Sequence, residues 1–220
     1  MLKRQTLPKR GFTLIELLVV ISIIMVLAGL TLSLFRYANT KAASDRARAE
    51  IAALSLSIES YKIDNGDYPR SDDTDRLNPR TNGNAILPAS GDTPYMLASL
   101  VLYKALSGDT NLDGTGGDVD TTTKIKNPIY FEFKPSLLYP KVPAGITRTA
   151  LVKAIVDPFR NVYGYSTIGS KATPVDGEGY NPTFDLWSTA DSTGTKTSGG
   201  DTLVPGSTTI KTEMTWIKNW

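Results

Sequence analysis

The chain reads as an α+β protein, a long N-terminal helix leading into a smaller mixed domain, and three observations predict it. Residues 12–35 form an apolar run, a helical repeat of apolar positions continues to about Ile63 and halts at Gly and Pro, and short β-branched or aromatic stretches follow among turn-forming residues. From Phe12 to Phe35 every residue but Glu16 is uncharged, and most are Leu, Ile, Val, Met or Ala. That run matches the roughly 20 apolar residues a helix needs to cross a bilayer. Glu16 is the exception that needs a reason. A carboxylate among lipid tails costs at least ~2.5 kcal/mol on insertion scales, so such a group is retained with a partner and a task.

The helix has no Pro to stop it at Phe35. Arg36 to Glu50 is rich in Ala, Arg and Glu, all compatible with helix, and Ile51, Leu54, Ile58 and Tyr61 then recur at three- and four-residue spacing. The predicted helix, residues 12–63, is therefore apolar all round in its first half and amphipathic in its second. The first half suits lipid or sister helices, and the second suits one face of a soluble domain. Asp64-Asn65-Gly66-Asp67-Tyr68-Pro69 supplies the stop.

Residues 70–92, rich in Asp, Asn, Pro, Arg and Gly, read as a surface loop. A second helix is expected next, with Thr93 as N-cap, Pro94 at its first position, an apolar face of Met96, Leu97, Leu100, Val101 and Ala105, and an end at Gly108. Ile129-Tyr130-Phe131-Glu132-Phe133 has the composition of a strand.

Composition excludes several chemistries. The 220 residues leave room for one modest domain after the helix, and they include no Cys and no His. Thiol nucleophiles, imidazole bases, the usual zinc ligands and disulfides are thereby absent. The formal charge is +2, but residues 1–11 hold four cations and no acid, so residues 12–220 carry −2. No basic patch remains to favour nucleic acid.

Lys3, Arg4, Lys9 and Arg10, followed by Gly11-Phe12-Thr13-Leu14-Ile15-Glu16 and the apolar run, resemble the N-terminus of type IV pilins and type II secretion pseudopilins. The resemblance implies a leader, residues 1–11, removed by a prepilin peptidase after Gly11, with methylation of the new amine on Phe12. It also implies inner-membrane insertion as a single span, residues 12–35, and polymerisation of the chain with itself on an inner-membrane assembly platform, alongside minor pseudopilins. The four leader cations place the N-terminus in the cytoplasm and the later domain in the periplasm. An ordinary secretory signal has a shorter apolar core, about 7–15 residues, and no early Glu. In a packed bundle an unpaired Glu16 would be stranded, and a neighbouring subunit's cationic Phe12 amine is the partner expected for it.

Further residues extend the resemblance to residues 64–220. Asn65-Gly66-Asp67-Tyr68-Pro69 is similar to the segment at which major pseudopilins leave the long helix. Asp157-Pro158-Phe159-Arg160-Asn161-Val162-Tyr163 is similar to their turn into a small antiparallel sheet, with Arg160 and Val162 where Gly and Pro are expected. Phe184-Asp185-Leu186-Trp187-Ser188-Thr189-Ala190-Asp191 is similar to their calcium-binding strand and loop. Ser188, Asp191 and Asp201 are the ligands this implies for Ca²⁺, with the chain closing at Ile217-Lys218-Asn219-Trp220. Asp157 itself reads as a turn residue rather than a catalyst. Residues 70–150 carry the least similarity and read as an insertion.

Independently of any family, Asp109-Thr110-Asn111-Leu112-Asp113-Gly114 follows the spacing of a twelve-residue calcium loop, with Asp109, Asn111, Asp113, Thr115 and Asp120 as candidate ligands. A turn rich in Asp and Asn fits the same residues. Three functional classes are thus in view. The first is a structural filament subunit of a pseudopilus or pilus. The second is a membrane-anchored, calcium-dependent binding or adhesion module, with Trp187, Trp216 and Trp220 as possible contact aromatics. An anchored hydrolase is the weakest, because no carboxylate pair is grouped for it.

Overall fold

The computed structural model describes residues 13–81, 91–141, 150–171, 178–190 and 216–220. It divides into two compact units, Met1–Ala42 and Ala43–Trp220. Helix α1, Leu14–Asn65, gives its first part to one unit and its remainder to the other. In the first unit the stretch Leu14–Thr31 is long and apolar enough to cross a membrane, and none of it is buried.

In the second unit, α1 ends as its sequence requires. Asn65 donates its side-chain amide to the Tyr61 carbonyl at 2.8 Å, and Gly66, at φ 82°, donates its N–H to Lys62 at 2.8 Å. A left-handed glycine at this position satisfies a carbonyl that the helix would otherwise leave open. The expected loop 70–92 contains a short helix, α2, Asp72–Arg76, started by a reciprocal cap between Ser71 and Thr74. Helix α3, Pro94–Ser107, has the predicted bounds. Thr93 Oγ1 accepts the Met96 N–H at 3.3 Å, and Gly108, at φ 66°, closes its end.

The buried face of α3 differs from the expected one. Tyr95, Met96, Ala98, Ser99, Leu102, Tyr103 and Leu106 face the interior, and only Met96 is common to both sets. Aromatic and small residues share this face with Leu102 and Leu106, and Ser99 Oγ accepts the Ile155 N–H at 2.7 Å. Leu97 is exposed instead.

Five short strands form two antiparallel sheets. β1 (Leu138–Tyr139) pairs with β2 (Ala154–Ile155), and β3 (Gly164–Ser166), β4 (Asp185–Ser188) and β5 (Ile217–Lys218) form the second sheet in that order. The α+β class with small antiparallel sheets is as predicted. The expected strand at 129–133 is not formed, because the N–H groups of Tyr130 and Phe131 both turn to the Leu106 carbonyl at the end of α3, at 2.8 and 3.0 Å.

Two apolar clusters hold this unit together. Ala47, Ile51, Leu54 and Ile58 of α1 pack with Leu102 and Leu106 of α3, with Ile155, Tyr165 and Leu186 of the sheets and with Tyr163 just before β3. Beside them, Trp187 stacks on Trp216 at 5.9 Å and meets Tyr95 edge-on at 5.6 Å. The three tryptophans are thereby accounted for mainly as packing, since Trp220 also meets Trp187 edge-on at 5.9 Å.

Candidate functional site

Gly11 and Phe12, the residues of the expected cut, lie outside the described residues, and Glu16 is the first charged group after them. Thr13 is the last non-helical residue before α1 and caps it. The Glu16 carboxylate accepts from the Thr13 N–H at 2.7 Å and from its hydroxyl at 2.8 Å on the same oxygen, Oε2, while the Glu16 N–H reaches back to Thr13 Oγ1 at 3.3 Å. This is a capping box, Thr-x-x-Glu, which satisfies N–H groups that a helix start leaves open. The Thr-x-x-Glu spacing signals this cap, so Glu16 has a role within its own helix beside the one expected between subunits. Among the described residues, Oε1 has no hydrogen-bond partner. One carboxylate can therefore hold its own helix start through one oxygen and present the other to a cation.

A second constellation joins the segment after β2 to the end of β4. Asp157 is buried, and its Oδ1 accepts the N–H groups of Phe159 and Asn161 at 2.9 and 2.8 Å. Ser188 donates its hydroxyl to Asp157 Oδ2 at 2.5 Å, and Asn161 donates its side-chain amide to the Ala190 carbonyl at 2.7 Å. Burial pushes the Asp157 carboxyl up to about 6, against the pull of these donors and with a small further rise from nearby Glu50. Every acceptor is thus turned inward, which is the arrangement of a structural turn. The Ser188 hydroxyl, expected to face an ion, is committed here. Asp191 and Asp201 lie outside the described residues.

The loop 109–120 is also built on inward hydrogen bonds. Buried Asp109 accepts the Leu112 N–H at 2.6 Å, the Gly114 N–H at 2.8 Å and the Tyr103 hydroxyl at 2.5 Å. Asn111 Oδ1 accepts from Asp113, and Asp113 Oδ1 from Thr115. Asp120 accepts from Thr122 and Thr123, at the far side of a turn of its own. Asp118, which was not among the expected ligands, takes donors from Thr110 and Asn111, and these hold its carboxyl below its ordinary value, led by the Asn111 N–H. Among the described residues no group of three or more acids could hold a metal ion. Of the two readings left open, the turn rich in Asp and Asn is the one this geometry fits.

The N-terminal geometry defines a class. Residues 7–32 match the family described as prokaryotic N-terminal methylation motif, so the chain carries a prepilin-type start. Residues 35–102 match the family described as type II secretion system (T2SS), protein G. Among curated relatives, type II secretion system core protein G of Escherichia coli (strain K12) is 44% identical over 66 residues, 30% of this chain and 46% of that protein. The protein of the same name from Dickeya chrysanthemi is 41% identical over 64 residues, covering 29% and 42%. That of Klebsiella michiganensis is 37% identical over 71 residues, covering 32% and 49%. The chain thus spans less than half the length of the curated relatives it matches. No solved structure matches. The resemblance to pseudopilins is shown over the N-terminal residues, and the relatives bear the names of secretion-system components rather than enzymes.

Proposed function

We propose that this chain is a structural subunit of a type II secretion pseudopilus or a related pilus-like filament. The observation that carries the reading is a single one: the matched methylation motif at 7–32 contains an unburied, membrane-length apolar stretch of helix whose one acid sits in its capping box. A prepilin peptidase cuts after Gly11, and methylation falls on Phe12. The span 12–35 is held in the inner membrane with its start in the cytoplasm and the folded unit in the periplasm, until an assembly platform draws it into a helical polymer of itself with minor pseudopilins.

Glu16 has two tasks in this scheme. Its Oε2 keeps the helix start closed through Thr13, and its Oε1 pairs with the Phe12 amine of an adjacent subunit, which sets the axial stagger. Burying that carboxylate without a partner would cost several kcal/mol, so only the paired register is favoured. Electron microscopy of cells expressing the chain tests this, with Gly11→Val as the uncut control. Filaments are expected from the natural chain and absent from Gly11→Val and Glu16→Ala, and normal filaments from Glu16→Ala would overturn the pairing.

Calcium belongs to the proposal at one place only. Asp191 and Asp201, with carbonyl oxygens of the polar segment between them, supply hard ligands suited to Ca²⁺, and Ser188 would offer its carbonyl rather than its hydroxyl.

A further inference from the structure

Ile129-Tyr130-Phe131-Glu132-Phe133 has the composition of a strand, and the fold gives it no strand to pair with. The N–H groups of Tyr130 and Phe131 share the Leu106 carbonyl, and from Phe131 onward the chain keeps the side-chain order of a strand. Phe131 and Phe133 lie on one side with ring centroids 4.7 Å apart, half-buried against the core, where Phe133 meets buried Tyr103 at 5.0 Å. Glu132 and Lys134 alternate with them and are exposed. Lys134 is itself extended, at φ −66° and ψ 145°, just before the short 3-10 helix Pro135–Leu137.

In an extended chain the N–H and C=O of one residue point to one edge, and those of the next residue point to the other. Phe131 turns its N–H to Leu106, so the main-chain groups of Glu132 and Lys134 point to the opposite edge. Among the described residues, the Glu132 N–H and carbonyl and the Lys134 N–H have no hydrogen-bond partner, and neither charged side chain is paired. An extended segment with an unpaired edge is a template for an added strand. The two phenylalanines already fix this one in place, and a surface ordered before binding loses little entropy on binding.

We propose that residues 131–134 are an acceptor edge for an extended segment of another polypeptide, which pairs antiparallel with Glu132 and Lys134 and carries an acid and a base two residues apart. The main chain supplies the bonds, and charge supplies the register, because like charges directly opposite are destabilising. Antiparallel pairing puts the acid opposite Lys134 and the base opposite Glu132, so the incoming segment reads acid-x-base from its N-terminus. Glu132-Phe133-Lys134 has that order too, and a second copy would satisfy the same register through a two-fold axis. The segment runs alongside α1, from Tyr130, whose hydroxyl accepts the Asn65 amide at 3.1 Å, to Ser136, whose hydroxyl accepts the Arg46 guanidinium at 3.2 Å. Two copies paired there would point their α1 helices in opposite directions, whereas subunits of one filament share a direction. The occupant is therefore a different polypeptide, a choice that rests on the filament reading, while the edge itself does not.

The test uses the full chain in detergent and two blocked, fluorescent peptides, Thr-Val-Glu-Val-Lys-Val-Thr and its charge-swapped form Thr-Val-Lys-Val-Glu-Val-Thr, with binding read by anisotropy. The first peptide is expected to bind roughly tenfold more tightly than the second, and Glu132→Lys together with Lys134→Glu should reverse the preference. N-methylating the first peptide at its Glu and Lys, whose N–H groups face the chain, should abolish binding. Lys134→Pro removes a free N–H at a φ that proline already adopts, so it should weaken binding roughly fivefold beyond Lys134→Gln, with the near-ultraviolet spectrum unchanged. No binding of the first peptide, or binding indifferent to N-methylation or to the charge swap, would overturn the proposal. Dimers of the chain that this peptide disperses would make a second copy the occupant and overturn it as well. Filaments by electron microscopy without peptide binding would overturn the edge and leave the filament reading standing, whereas binding without filaments would support the edge and reject that reading.

Discussion

Arg160 sits at φ 73°, a backbone conformation that a side chain makes costly and that glycine adopts freely. The turn around it keeps this shape because Asp157 leaves no alternative: its carbonyl accepts the Arg160 N–H at 3.0 Å, and its N–H and carboxylate both engage Asn161. Arg160→Gly should therefore stabilise the folded unit by about 1 kcal/mol, read as a rise in urea midpoint with an unchanged slope. Asp157 makes a prediction of the opposite kind. Its carboxyl is raised from 3.8 to about 6, so the folded state holds the proton where the unfolded state has lost it. The stabilisation is full below about pH 4 and is lost as pH rises through 6, by an amount of order 3 kcal/mol. Asp157→Asn, which can keep the two N–H bonds on its Oδ1, should flatten this part of the profile. The difference in urea midpoint between natural and variant chains across pH 4 to 7 measures it. At the helix start, Thr13→Ala should weaken the cap by about 1 kcal/mol yet leave the Glu16 carboxylate in place, so filaments should persist in reduced number where Glu16→Ala abolishes them.

Among the elements, the two longer helices were legible from their end signals, whereas the five-residue α2, despite its Ser71–Thr74 cap, and the strands defined by partners were not. Thr93, Pro94 and Gly108 bracket α3 in the sequence as they do in the fold, and Asn65-Gly66 marks the end of α1. The strands are two to four residues long, and β3 and β4 are buried at every position, so no alternation of apolar and polar residues announces them. Ile129–Phe133 had the better strand composition, but its N–H groups found a helix carbonyl before a neighbouring strand. At the candidate site the same division holds. The Thr13–Glu16 spacing carries a cap that was not among the expected roles of Glu16, and the calcium-like spacing at 109–120 did not reveal that Tyr103 and the loop's own N–H groups fill the acids. The pairing of β3 with β4 places Gly164 opposite Trp187, and a Cβ at Gly164 would lie 2.1 Å from the indole. Gly164→Ala must displace Trp187 from its stack on Trp216, and a loss of roughly 3 kcal/mol or more is expected, with loss of the near-ultraviolet tryptophan signal.

At the scale of the molecule, the stretch Leu14–Thr31 of the first unit is apolar helix with none of it buried, and the second unit holds its own two apolar clusters. The second can therefore be examined as a soluble fragment beginning at Ala43, and it separates the two places where the sequence offers calcium ligands. At 109–120 the carboxylates already accept short hydrogen bonds from N–H groups, so an ion would have to displace donors that define the loop. A cation there would trade satisfied acceptors for its own coordination and leave N–H groups without partners, which costs about 1–3 kcal/mol for each one buried. Asp191 and Asp201 lie outside the described residues, and two acids on a polar segment raise Ca²⁺ affinity through charge. Millimolar Ca²⁺ should accordingly raise the melting temperature of the fragment, and Asp201→Ala should abolish the rise while Asp113→Ala leaves it intact. The reverse pattern would move the ion to the 109–120 loop, and the absence of any shift between Ca²⁺ and chelator would remove calcium from this protein altogether.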